Sequence, residues 1–293
     1  MTLLQAALLG ALQGIAEFLP ISSSGHLCLA RHLVPGAPPP DLAFDVLLHL
    51  GTAAAVITVF RAELAPLLRA TPRLLAPARW RGGWAADPAF RTAALLLLSA
   101  VPAGVVGLMF HRRVEALEEH RPDVVALLLV VTGLWLLVAS VRARRAARAD
   151  ADEASGAAPR AGRRAGREAG VREALLIGAA QAAAILPGVS RSAATLGAGL
   201  LAGVRRDAVG PFAFLMSVPV IVGAAALKAR DLRIGGATDA GVMLVGVLVA
   251  YASGVAALRF LLPFVRRGRL EAFAAYCLLA GPVAWWALRG TTP

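Results

Sequence analysis

The chain reads as an all-α integral membrane protein, an inverted repeat in which each half is a re-entrant helix pair plus three transmembrane helices. Three observations predict this. Apolar runs long enough to cross a bilayer recur along 293 residues that are 58% hydrophobic, and the mean hydropathy is +0.69. The sequence also matches itself without a gap at an offset of 168, which lays Leu9-Gly10-Ala11-Leu12-Gln13 on Ile177-Gly178-Ala179-Ala180-Gln181. In the same register Ile21-Ser22-Ser23-Ser24 falls on Val189-Ser190-Arg191-Ser192. Paired, interrupted hydrophobic segments of this kind point to a site at the membrane midplane. Thirdly, the basic residues sit in the connections between apolar runs, as positive-inside loops do.

Taken in order, residues 3–34 form the first broken segment, two half-helices entering and leaving from one side. The Leu19-Pro20 step interrupts it, and Pro35-Gly36-Ala37-Pro38-Pro39-Pro40 closes it, because neither stretch can continue a helix. A long helix is expected over 41–68, opening with Phe44-Asp45-Val46-Leu47-Leu48-His49-Leu50-Gly51, then a loop over 69–88 and spans over 92–110 and 123–141. Residues 142–172 are rich in Ala, Arg, Gly and acids, with too little large apolar content to fold alone, and read as a flexible cytoplasmic loop. The second broken segment covers 173–204, and spans follow over 208–227, 240–262 and 270–288. The whole chain is thus one membrane domain, with 1–141 as the first repeat and 173–293 as the second.

Three crossings per half invert the second half relative to the first. The side carrying Arg69, Arg73, Arg79, Arg81, the 142–172 loop, Arg205, Arg206, Arg266, Arg267 and Arg269 is the more basic, and is expected to be cytoplasmic. The other side carries Arg112, Arg113, Arg121, Lys228, Arg230 and Arg233, diluted by Glu115, Glu118, Glu119 and Asp231. Both termini then lie outside, and the broken segments meet in mid-membrane from opposite faces. The net charge of +12 comes almost wholly from Arg, and its place in the connections favours topology over nucleic-acid binding. Cys28 and Cys277 lie in apolar runs, which indicates neither a disulfide framework nor a zinc site. No basic residue precedes Arg31, so the first run reads as a membrane segment rather than a signal peptide.

Chemistry gathers at the two breaks. Gln13 and Glu17 are four apart and share a helix face. Ser22, Ser23 and Ser24 stand where the returning half-helix begins, where hydroxyls cap and free N–H groups attract an anion. Pro187-Gly188-Val189-Ser190-Arg191-Ser192 repeats the arrangement, with Gly188 permitting close backbone approach and Arg191 able to grip phosphate oxygens in pairs. Each residue alone has a plainer reading, as a helix cap, a core histidine or a loop charge. Together in apolar surroundings they describe an anion site that a phosphorylated lipid could reach. Asp45 and His49 form another i,i+4 pair and are candidates for supporting the site.

These residues resemble the undecaprenyl-diphosphate phosphatase family, also called bacitracin-resistance proteins. Its first motif, Glu/Gln-x-x-x-Glu with Pro-x-Ser-Ser and a His, stands as Gln13, Glu17, Pro20-Ile21-Ser22-Ser23-Ser24-Gly25-His26. Its second, Pro-Gly-x-Ser-Arg-Ser-Gly-x-Thr, stands as Pro187-Gly188-Val189-Ser190-Arg191-Ser192-Ala193-Ala194-Thr195. Two positions depart from the pattern: Gln13 cannot ionise, leaving Glu17 the only carboxylate of its pair, and Ala193 replaces a Gly.

The resemblance implies hydrolysis of undecaprenyl diphosphate in the bacterial inner (cytoplasmic) membrane, recycling the carrier for cell-wall synthesis. It also implies a divalent cation, Mg²⁺ or Ca²⁺, at Glu17, a site open to the periplasmic side, and a homodimer. Glu17, Ser23, His26 and Arg191 are the expected catalytic residues, and Gln13, Ser22, Ser24, Gly188, Ser190, Ser192 and Thr195 the substrate-binding ones. Ser23 or a water would attack the terminal phosphorus, with Glu17 or His26 managing the proton. The rival readings are a transporter or flippase of a lipid phosphate, which shares the architecture, and a non-catalytic membrane scaffold.

Overall fold

The structure, a computed structural model, describes residues 1–38, 41–76, 80–154, 168–228 and 237–289. Helix α1 (Leu3–Phe18) opens on a reciprocal cap, in which Thr2 Oγ1 accepts the Gln5 N–H and Gln5 Oε1 accepts the Thr2 N–H. It stops at Phe18 because Pro20 pushes Leu19 into an extended conformation (φ −58°, ψ 136°). Helix α2 (Ser23–Leu33) starts after Ser22, whose hydroxyl caps the Gly25 N–H at 3.3 Å. The same helix–break–helix form recurs in α8 (Val171–Ala183) and α9 (Arg191–Leu201), where Ser190 caps the Ala193 N–H at 3.2 Å. The two breaks touch: a Cβ on Gly25 would lie 3.0 Å from the Gly188 Cα, and Ser192 Oγ donates to the Leu19 carbonyl at 3.3 Å.

The remaining helices wall in this junction. The expected helix over 41–68 is two, α3 (Leu42–Val59) and α4 (Arg61–Ala70), bent by 94°. Phe60 leaves the helical region (φ −103°, ψ 25°), and beyond it Arg61, Glu63 and Pro66 replace the apolar run, so α4 buries only Leu67 and Ala70. Phe60 itself is anchored by stacking on Phe214, with centroids 6.1 Å apart. The loop over 69–88 contains a 3₁₀ turn (Thr71–Leu75) and the short α5 (Trp80–Ala86), while Arg79 lies outside the described residues.

Helices α6 (Pro88–His120) and α7 (Pro122–Ala154) both outrun the spans expected of them. Residues 142–154, expected to be loop, continue α7, since Ala and Arg are strong helix formers and need no apolar face to propagate a turn. The rest of that loop up to residue 167 lies outside the described residues, as do Arg230, Asp231 and Arg233. The span expected over 208–227 is divided at Met216 into α10 (Arg206–Leu215) and α11 (Ser217–Lys228). Pro219 has no N–H to offer the Leu215 carbonyl four residues back, which loosens the helix there. Helices α12 (Ala237–Arg267) and α13 (Glu271–Leu288) complete the fold.

The chain is an all-helical, multi-pass membrane protein. Among the described residues five spans are long and apolar enough to cross a membrane, six when α3 and α4 count as one bent span. Inside a bilayer the packing gain comes from close contact rather than from escape from water. Small residues supply that contact: a Cβ on Gly14 would lie 2.8 Å from the Gly254 nitrogen, so α1 and α12 meet backbone to backbone. Directly behind the α1 break, Phe18 sets its edge on Phe214 at 5.8 Å, which gives the site a rigid aromatic floor.

Candidate active site

Glu17 is the hub. It sits on the last turn of α1 with its side chain only 3% exposed, and both of its oxygens are engaged. Arg191, the first residue of α9, donates from Nη2 to Oε1 and so joins the two breaks by an ion pair. Oε2 accepts Ser23 Oγ at 2.6 Å and Gln13 Nε2 at 3.0 Å. A carboxylate buried this deeply needs such partners, because an isolated charge would lose its solvation without return. The i,i+4 spacing aims Gln13 at Glu17, and the α1 break folds Ser23 back onto the same oxygen. Arg191 holds Glu17 through one nitrogen, which leaves Nη1 and Nε for an incoming anion.

The other expected residues fall in three groups. Ser22, at 3% exposure, caps α2 in a left-handed conformation (φ 75°), and it is the one non-glycine with positive φ among the described residues. Ser24 is half-buried on the first turn of α2. On the second break, Ser190 and Ser192 share a hydrogen bond of 3.1 Å, and Thr195 donates to the Arg191 carbonyl at 2.9 Å. Gly188 takes φ +90°, and a Cβ there would lie 2.8 Å from the Leu128 Cβ, so only glycine fits.

His26 stands apart. Its Nδ1–H donates to the Ser22 carbonyl at 2.7 Å, which directs the Nε2 lone pair to the Tyr276 hydroxyl, also at 2.7 Å. Neither nitrogen meets Glu17, Ser23 or Arg191. The imidazole nearest Glu17 is His49, whose Nε2 lies 3.8 Å from Oε2 while its Nδ1 bonds the Asp45 carbonyl. The Asp45 carboxylate turns away from Glu17 to Arg31, at 2.6 Å.

Several neighbours of the site carry no motif. A small cavity beside the ion pair is lined by Glu17, Arg191, Ser192, Thr195 and Ser217, with Phe214 behind them. Thr132 and Trp135 on α7 bond the backbone on either side of Arg191. Tyr276 reaches His26 from α13. For Thr132, Trp135, Ser217 and Tyr276 the sequence offers only a polar group inside an apolar span.

A divalent cation finds no all-protein cage, since no three His, Cys, Asp or Glu converge among the described residues. It does find one carboxylate and one orphan oxygen: Gln13 Oε1 is buried without a partner beside Glu17. One carboxylate completed by substrate phosphates is how Mg²⁺ is commonly held, so the residues present fit an ion that arrives with a diphosphate.

The chain is similar to known proteins over nearly its whole length. The family model described as "Bacitracin resistance protein BacA" matches residues 6–283. A protein named undecaprenyl-diphosphatase from Syntrophotalea carbinolica is 39% identical over 281 residues, covering 96% of this chain and 97% of its own. A protein of the same name from Rubrobacter xylanophilus is 41% identical over 278 residues, 94% of each chain. Another from Salinibacter ruber is 36% identical over 293 residues, covering 98% of this chain and all of its own.

Proposed function

The chain belongs to the bacitracin resistance protein BacA family, and from that membership we propose that the Glu17–Ser23–Arg191 junction is where its chemistry occurs. It hydrolyses undecaprenyl diphosphate to undecaprenyl phosphate and inorganic phosphate, which returns the lipid carrier to cell-wall synthesis and underlies bacitracin resistance. The observation that carries the site assignment is the 2.6 Å hydrogen bond from Ser23 Oγ to a carboxylate whose other oxygen is held by Arg191.

Ser23 is the nucleophile in this reading. Its proton passes to Glu17 as Oγ bonds to the terminal phosphorus, and the bond from that phosphorus to the bridging oxygen breaks. The electron pair leaves with undecaprenyl phosphate, and a water then cleaves the phosphoserine to release inorganic phosphate. Arg191, through its free nitrogens, stabilises charge spread over the transferring phosphoryl oxygens. Ser22, Ser24, Ser190, Ser192 and Thr195 supply hydroxyls, and Gly188 supplies close backbone approach, for the diphosphate. Glu17 and Gln13 Oε1 would hold the divalent cation, Mg²⁺ or Ca²⁺, which when bound offsets the negative charge of the diphosphate. His26 is assigned a positioning role, since its Nδ1–H fixes the Ser22 carbonyl at the foot of the helix that carries Ser23. The arginine excess on one face supports placing that face in the cytoplasm, and from the family resemblance we propose that the site opens to the periplasmic side of the inner membrane and that the protein works there as a homodimer.

The test is an acid quench of the purified protein turning over [³²P]-labelled diphosphate lipid. Phosphoserine at position 23, absent from Ser23→Ala, is the expected result. Full turnover by Ser23→Ala would assign the attack to a water instead.

A further inference from the structure

We propose that Thr132 is a positioning residue for Arg191, gripping the second break so that the guanidinium meets Glu17 and the substrate; this rests on the placement of hydrolysis at Arg191. Thr132 lies inside α7 at 1% exposure. A threonine buried in a membrane helix ordinarily bonds a carbonyl of its own preceding turn. This one reaches across: Oγ1 donates to the Gly188 carbonyl at 2.9 Å and accepts the Ser190 N–H at 3.0 Å. Those are backbone groups on either side of Val189, in a break where no helix partner exists for them.

The consequence is geometric. Holding one acceptor and one donor, a single hydroxyl fixes two peptide planes in succession. Ser190, so held, caps α9, and Arg191 is the next residue. One turn further along α7, Trp135 Nε1 donates to the Ala193 carbonyl at 3.0 Å, on the far side of Arg191. The arginine backbone is therefore clamped before and after by one helix, while its side chain extends to the other repeat. A charge stabiliser displaced by about 1 Å can lose about 100-fold in rate, so the grip matters to the reaction and not only to the fold.

The structure contains its own control. Ser140, also on α7 and buried, makes the same two-handed contact with the turn before α13, donating to the Gly268 carbonyl at 3.0 Å and accepting the Leu270 N–H at 3.1 Å. That turn holds no residue of the site.

The experiment measures inorganic phosphate release from undecaprenyl diphosphate by full-length protein in detergent. Thr132→Ser keeps the hydroxyl and is expected within about 3-fold of wild type, whereas the near-isosteric Thr132→Val is expected to lose about 10-fold or more in kcat. Combined with Arg191→Ala, Thr132→Val should cost nothing further, because it acts through that arginine. Ser140→Ala should lower the melting temperature and leave kcat alone. If Thr132→Val does not purify, Thr132→Cys, whose thiol is a weak donor and acceptor, carries the same comparison. A wild-type rate in Thr132→Val, or an undiminished loss in the Arg191→Ala background, overturns the proposal. A wild-type rate in Arg191→Ala alone would instead overturn the placement of the site.

Discussion

Replacing Arg191 by alanine removes the sole cation that hydrogen-bonds Glu17 among the described residues, and two effects follow that can be separated. The first is on stability. The Glu17 side chain stays 3% exposed, with only Ser23 and Gln13 left as donors. Breaking a buried pair from one side costs about 3–5 kcal/mol. The second is on rate, since losing one preorganised charge stabiliser costs about 100- to 1000-fold in kcat. The two come apart in the double variant Glu17→Gln with Arg191→Met, which removes both charges while roughly conserving volume. Its melting temperature in detergent should recover toward wild type, because an apolar or neutral replacement of a buried pair is often neutral or stabilising. Its phosphate release should stay at the level of Arg191→Ala. An Arg191→Ala protein that folds, melts near wild type and releases phosphate within about 10-fold of it would refute both the pairing and the role.

Two further outcomes follow from the same geometry. Stripping divalent ions with EDTA should stop phosphate release, and Mg²⁺ or Ca²⁺ should restore it; full activity in EDTA would remove the ion from Glu17 and Gln13. Gly188→Ala forces a side chain into φ +90° and against Leu128, so it should destabilise by about 1–3 kcal/mol or more and reduce the folded yield, read by thermal melting. A wild-type melting curve would mean that the break can relax.

Much of the candidate site is legible in the sequence, for a physical reason. Polar and ionisable residues are so costly inside an apolar segment that each one is conspicuous, and the 168-residue offset pairs one cluster with the other. Glu17, Ser23 and Arg191 stand out in this way, and hydrogen bonds join all three. The place of His26 in the chain groups it with them, yet which way a ring points from a helix is decided by what packs there. Tyr276, 250 residues on, takes its Nε2. His49 reached Glu17 from a different helix for the same reason. The bend at Phe60 is poorly marked because an apolar residue sits at it, with only the change to Arg61, Glu63 and Pro66 beyond it as a trace, and the stacking of Phe60 on Phe214 is a tertiary contact. Thr132 left the faintest trace, a single hydroxyl whose partners are backbone atoms and therefore carry no residue type.

The most direct test of the account is the fate of undecaprenyl diphosphate with purified wild-type protein and with Glu17→Gln, which is nearly the same size, cannot accept the Ser23 proton as a carboxylate does, and lacks the charge that pairs with Arg191. Phosphate and undecaprenyl phosphate should appear in equal amounts with wild type, and at least about 100-fold more slowly with folded Glu17→Gln. Equal rates from the two proteins would contradict the claim that this junction is where the diphosphate is cleaved.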